Sequence, residues 1–222
     1  MRRSLTLALA GLMAATMSLP AQSAQQWSVQ GSGLMATLSG AAYFGTNYGS
    51  DRGGEAQLRY TTRVGWSFGA GYQKTTNIAH TLSGPFFEPR YSFVLGDNER
   101  IFPYLSGRFS YLNLQQSTFN YSCASTCDST SYASGQNSTS GSTIGAGGGL
   151  LLRLTSRVNM DVGATYGWNH FGDITATVNQ NNCTYDTNGT PTCTYLGQVT
   201  SKTPAGSGSN LVGRLGLAIG LF

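Results

Sequence analysis

Charge is scarce in this chain: Asp, Glu, Lys and Arg make up 10% of its 222 residues, against about 25% in a typical soluble domain. A surface so poor in charge is ill suited to water on every side. Long apolar runs are also missing. Beyond residue 24 none approaches the roughly 18 residues that a membrane-crossing helix needs, which excludes a helical membrane protein. The same stretch has no Lys/Arg cluster, so it lacks the electrostatic footprint of a nucleic-acid binder. Histidine occurs only at His80 and His170. His170 lies in Trp168-Asn169-His170-Phe171-Gly172-Asp173, and the position two residues on is a glycine, not a serine nucleophile. No Ser-His-acid pattern supports nucleophilic catalysis. Two histidines and four cysteines do not make a closed ligand set, so no metal is expected. The run Gly145–Gly149 has no Lys-Ser/Thr after it and sits in a strand pattern, which points to close packing rather than a phosphate loop. No catalytic residue and no cofactor are expected.

What is abundant is glycine (30), tyrosine (12) and phenylalanine (10). The N-terminus carries Arg2 and Arg3, an apolar run from Leu5 to Met17, Pro20 and then the small residues of Ala21-Gln22-Ser23-Ala24. This is the layout of a cleaved export signal over 1–24, leaving 25–222 as one domain. Without Arg2 and Arg3, 11 basic and 9 acidic residues remain. Cys123, Cys127, Cys183 and Cys193 all lie in polar stretches. In an exported chain an even count reads as two disulfides, with Cys123–Cys127 and Cys183–Cys193 the nearest pairings and cross-pairing left open.

Segments of about ten residues alternate apolar and polar with a period of two. The clearest is 158–168, where Val158, Met160, Val162, Ala164, Tyr166 and Trp168 oppose Asn159, Asp161, Gly163, Thr165 and Gly167. A helix would scatter Asn159 and Asp161 among the apolar positions. The same period marks 54–61, 64–75, 86–95, 102–113, 143–154 and 208–222. Over 27–38, Trp27 and Val29 hold one phase and Leu34, Ala36 and Leu38 the other, so a β-bulge is expected near Gly31–Gly33. These are eight strands. In hydrocarbon every backbone group must be satisfied, so spanning strands have to close on themselves. Thr61-Thr62-Arg63, Gly96 to Arg100 and Thr155-Ser156-Arg157 read as tight turns, whereas the alternate connections are longer, above all 114–142 and 172–206. The expected fold is all-β, a transmembrane antiparallel up-and-down barrel.

The export signal, the eight alternating strands, the unequal connections and the terminal Leu217-Ala218-Ile219-Gly220-Leu221-Phe222 resemble the small OmpA/OmpX-type outer-membrane barrels. The resemblance spans the mature chain. It implies a monomer in the bacterial outer membrane, with both termini periplasmic and with outer-membrane lipid and lipopolysaccharide around it. It also implies that the barrel-insertion machinery reads the terminal aromatic, here Phe222, which is out of phase with Leu217, Ile219 and Leu221.

The polar face would carry Glu55, Arg59, Glu88, Arg90, Arg108, Arg153, Asp161 and Arg214. Buried charges persist only when paired, and the Arg fork suits carboxylates. An internal ion-pair network follows, either a plug that fills the barrel or the lining of a narrow pore that prefers anions. Tyr60, Trp66, Tyr72, Tyr91, Tyr104, Tyr111, Tyr166 and Trp168 are expected at the membrane interfaces. Arg52, Lys74 and Lys202 are placed near the outer rim. Any extracellular ligand would meet 114–142 and 172–206, since loops carry specificity where it exists. The expected role is structural or interactive, not enzymatic; the alternatives are the narrow anion-preferring pore and an outer-membrane lipid-modifying enzyme.

Overall fold

A computed structural model of the chain describes residues 27–40, 50–93, 100–116, 119–122, 130–185, 191–204 and 206–221. The expected export signal, most of the turn expected at Gly96 to Arg100, Cys123, Cys127 and Phe222 lie outside the described residues.

Eight strands close into a barrel: β1 (Trp27–Gly40), β2 (Ser50–Thr61), β3 (Trp66–Thr76), β4 (His80–Ser92), β5 (Ile101–Gln116), β7 (Thr130–Arg153), β8 (Val158–Phe171) and β11 (Ser207–Gly220). Each pairs antiparallel with its neighbours, and the ring shuts where β1 pairs with both β2 and β11. Three further strands, β6 (Phe119–Ser122), β9 (Ile174–Tyr185) and β10 (Pro191–Thr203), stand outside the ring.

Alternation along the strands follows the sequence. In β2, Asp51, Glu55, Gln57 and Arg59 are buried while Ala56 and Leu58 are exposed. In β11, Leu211, Leu215, Leu217 and Ile219 are exposed while Asn210, Arg214 and Ala218 are buried. The outward set is apolar around the wall, with Leu105, Phe109, Ile144, Leu150 and Val162 among its members. A period of two places successive side chains on opposite faces of a pleated strand.

Three readings of the sequence are corrected. There is no bulge near Gly31–Gly33: β1 keeps one register with both neighbours, and Gln30, Ser32, Leu34, Ala36 and Leu38 all face inward. The phase does not switch; the interior itself turns from polar to apolar along the strand. Next, the strand placed at 86–95 begins at His80, so the 76–85 connection shrinks to a tight turn, with Asn77 Oδ1 accepting from the amides of Ala79 and His80. Finally, 114–142 and 172–206 are largely strand rather than loop. β7 has 24 residues, about 80 Å of chain at 3.3 Å per residue, more than a bilayer's ~30 Å apolar core requires. It pairs with β8 over Gly141–Arg153 and with β9 over Thr130–Ser138. β6 and β9 thus continue the lines of β5 and β8, and β10 feeds back into β11. Together β6, β7, β9 and β10 form a four-stranded sheet that prolongs one side of the barrel, with β10 as an edge.

Close packing needs glycine at particular points. Gly65 adopts φ +87° in the turn between β2 and β3, where the Thr62 amide donates to the Trp66 carbonyl. Gly149 and Gly163 face each other across β7 and β8. A Cβ on either would collide with the Tyr104 hydroxyl.

Candidate functional site in the barrel lumen

Inward residues of seven strands join in one network, and four of its arginines meet at a single carboxylate. Glu88, on β4, has a side chain with no solvent exposure. Its Oε1 accepts from Arg59 Nη2 at 2.9 Å and Arg90 Nε at 2.5 Å, and its Oε2 accepts from Arg108 Nη1 at 3.1 Å and Arg214 Nη1 at 2.7 Å. Glu55 takes Arg108 Nη2 at 2.6 Å and Arg214 Nη1 at 3.3 Å. Asp161 takes Arg90 Nη2 at 2.7 Å, Gln30 Nε2 at 2.5 Å and the Tyr104 hydroxyl at 2.7 Å. Arg108 also donates to Gln73 Oε1 at 2.5 Å. Its guanidinium lies 3.7 Å from the centre of the Phe86 ring. Arg59, Arg90, Arg108 and Arg214 thus meet Glu55, Glu88 and Asp161 in one network. Arg153 is not among the arginines that meet Glu88: it lies at the barrel end that carries the short turns, over the Phe102 ring at 5.2 Å.

Tyr104 is a correction. Placed among the interfacial aromatics, it is 2% exposed and belongs to the lumen. Its hydroxyl donates to Asp161 and accepts from Arg214 Nη2 at 2.9 Å. The signal is in the sequence, because Tyr104 shares its phase with Ser106 and Arg108 and opposes Leu105 and Phe109. The other aromatics face the outer wall, with Trp27 against Tyr60 and Trp66 against Tyr91 at 5.1 Å between ring centres. Changing Tyr104→Phe removes both hydrogen bonds from charged partners. It is expected to lower stability by about 1.5–3 kcal/mol, read from urea unfolding in lipid vesicles by tryptophan fluorescence.

Sequence reasoning missed a second buried pair. Asp51 is fully buried, and His80 Nε2 lies 3.1 Å from its Oδ2, although the two are far apart in sequence. Asn77 Nδ2 donates to Asp51 Oδ1 at 2.7 Å and Thr75 Oγ1 to Oδ2 at 3.4 Å. Asp51 keeps the phase of Glu55 and Arg59, the one sign available beforehand. At the same end of the lumen, Leu38, Leu82, Leu112, Leu114 and Phe171 form a buried apolar layer. The interior is thus filled twice, by an ionic cluster and, toward the projecting sheet, by hydrocarbon.

His170 lies on the outer wall. Its Nδ1 is 3.3 Å from Ser207 Oγ, which comes from β11 rather than from the position two residues after the histidine. Among the described residues no carboxylate orients the imidazole, so the pair falls short of a triad. Arg52, Lys74 and Lys202 are exposed. The register sets Cys183 opposite Cys193 across β9 and β10.

A closed antiparallel ring, a charged interior and an apolar belt satisfy what a bilayer demands of a spanning sheet. Among solved structures, Neisserial surface protein A matches with TM-score 0.50 at 16% identity, over 88% of this chain and 97% of that one. The fold is that of a small eight-stranded outer-membrane barrel. Looser likenesses extend to a major outer membrane protein from Thermus thermophilus, with TM-score 0.43, 11% identity and coverage of 87% and 98%, and to the outer membrane protease OmpT from Escherichia coli, with TM-score 0.33, 12% identity and coverage of 88% and 95%. At 16% identity the likeness to Neisserial surface protein A shows the fold alone, and nothing further is carried across. No protein-family model matches the chain, and no curated protein matches its sequence.

Proposed function

We propose that this barrel is a structural and interaction protein of the bacterial outer membrane, closed to solutes and devoted to presenting the sheet that rises from one rim. The observation that carries this reading is the doubly filled lumen, with the cluster around Glu88 below and the layer of Leu38, Leu82, Leu112, Leu114 and Phe171 above. An eight-stranded barrel has just enough interior for its side chains. An anion-preferring pore would need both levels displaced. In planar bilayers the purified protein is expected to give no reproducible unitary currents; steady single-channel steps would overturn the reading.

Short turns at one end and long hairpins at the other support periplasmic termini and an outward-facing sheet. That sheet offers partners a β10 edge with exposed Tyr195, Leu196 and Val199. In this reading the protein works as a monomer amid lipid and lipopolysaccharide, and Cys183–Cys193 and Cys123–Cys127 close disulfides that staple the projecting hairpins. Thiol titration of the unreduced, denatured protein is expected to find no free sulfhydryl, and a non-reducing digest to link the peptides that hold Cys183 and Cys193. Any titratable thiol, or a cross-linked Cys123–Cys183 peptide, contradicts the pairing.

A further inference from the structure

At the barrel end that carries the short turns, the lumen opens into a polar vestibule of about 100 Å³. Such a space holds several waters or one small tetrahedral ion. Three arginines line it, Arg59, Arg90 and Arg153, and among the described residues no carboxylate does. Hydroxyls and amides, among them Ser67, Ser92 and Asn159, share the rest of the wall with the apolar Phe102, Leu151 and Ala218. Two of the arginines keep donors in reserve: Arg59 Nε and Arg90 Nη1 are buried and have no hydrogen-bond partner in the protein. Arg59 and Arg90 are 4% and 1% exposed. An unmet donor on a buried guanidinium is costly, and a ligand that accepts from it recovers that cost.

Charge counting points the same way. Arg59, Arg90, Arg108 and Arg214 face Glu55, Glu88 and Asp161, which leaves one positive charge in the cluster that borders the vestibule. An anion seated there offsets it. Arg153, beside Phe102, brings a third guanidinium to the same space. Guanidinium forks match the oxygens of phosphate and sulfate.

We infer that the vestibule is a binding site for a tetrahedral oxyanion, phosphate or sulfate in class, held between Arg59, Arg90 and Arg153. Filling the lumen and binding an ion at its mouth are separate properties: the barrel stays closed whether or not the site is occupied. A free phosphate ion and the head of a phosphomonoester present the same oxygens to the arginines.

The test is calorimetric titration of the full, detergent-folded chain with sodium phosphate, sodium sulfate and glycerol 3-phosphate, at constant ionic strength set by chloride. Saturable binding of one ion per chain is expected. Arg153→Ala is the diagnostic change, because Arg153 is not one of the four arginines that meet Glu88 and the variant keeps the network that holds the barrel. It is expected to weaken binding roughly tenfold or more, the loss of one charge-assisted contact, while Arg153→Lys retains part of it. Folding of each variant is checked by its heat-modifiable mobility on gels. Binding of the inorganic ions alone assigns the site to a free oxyanion; equal binding of glycerol 3-phosphate assigns it to a phosphomonoester. Absence of heat with all three ligands, or binding that Arg153→Ala leaves unchanged, overturns the site.

Discussion

Replacing Glu88 by alanine is expected to destabilise the folded barrel by roughly 3–5 kcal/mol, the cost of breaking a buried ion pair from one side. The carboxylate is the meeting point of Arg59, Arg90, Arg108 and Arg214. Without it those guanidinium groups face one another across a hole, with Glu55 and Asp161 left to neutralise them. Glu88→Gln preserves volume and some hydrogen bonding but not charge, so it should fall between wild type and alanine. Urea unfolding in lipid vesicles, followed by tryptophan fluorescence or by heat-modifiable gel mobility, measures the difference. A loss below about 1 kcal/mol, the level of an exposed pair, would mean that water enters the cluster and screens it. The Glu88→Ala barrel is still expected to pass no unitary current, because Leu38, Leu82, Leu112, Leu114 and Phe171 close the lumen at the other level. Stability and conductance are thereby separated: the ionic cluster governs the first, and both levels must fail for the second to change.

The second large effect lies one residue away from the lumen. Leu215 is 58% exposed and follows the buried Arg214. On a soluble protein an exposed Leu→Arg change is close to neutral. On the lipid face of a barrel it costs about 2–4 kcal/mol near the bilayer midplane and about 0–1 kcal/mol near an interface. Leu215→Arg is therefore expected to be strongly destabilising, whereas Ser207→Arg, at the exposed start of the same strand, should be tolerated. The comparison is made by equilibrium unfolding in vesicles. Equal, small effects at both positions would place Leu215 in water.

The barrel is legible in the sequence because lipid and lumen impose opposite demands on successive residues. Val158 to Trp168 and Leu211 to Leu221 show this without help from anything distant in the chain. Most of the ionic cluster is legible for the same reason: Glu55, Arg59, Glu88, Arg90, Arg108, Asp161 and Arg214 all fall on the polar phase. The misreadings have distinct physical causes, and the first is that the lumen is not uniformly polar. Leu34, Ala36 and Leu38 mimic a lipid-facing run and so suggest a bulge, because an apolar inward residue and an apolar outward one look alike in a single strand. Tyr104 has the residue type of the interface, although its phase points inward. The Asp51–His80 contact joins two strands and has no local signature at all. β6, β9 and β10 escape notice because beyond the barrel rim neither face has to be apolar. Ile174-Thr175-Ala176-Thr177-Val178 has β-branched propensity and does alternate, but the pattern gives way to Asn179-Gln180-Asn181-Asn182, short of the roughly ten residues that mark a spanning strand.

A spin-label scan along β11 in lipid vesicles, on a background with the four native cysteines changed to serine, probes the wall residue by residue. Labels at Leu211, Leu215, Leu217 and Ile219 should relax readily with dissolved oxygen, and labels at Gly216 and Ala218 should be shielded from it, a contrast that reverses at every step. Oxygen access that repeats every three to four positions, or that stays level from Leu215 to Ile219, would contradict a strand with lipid on one side and the packed interior on the other.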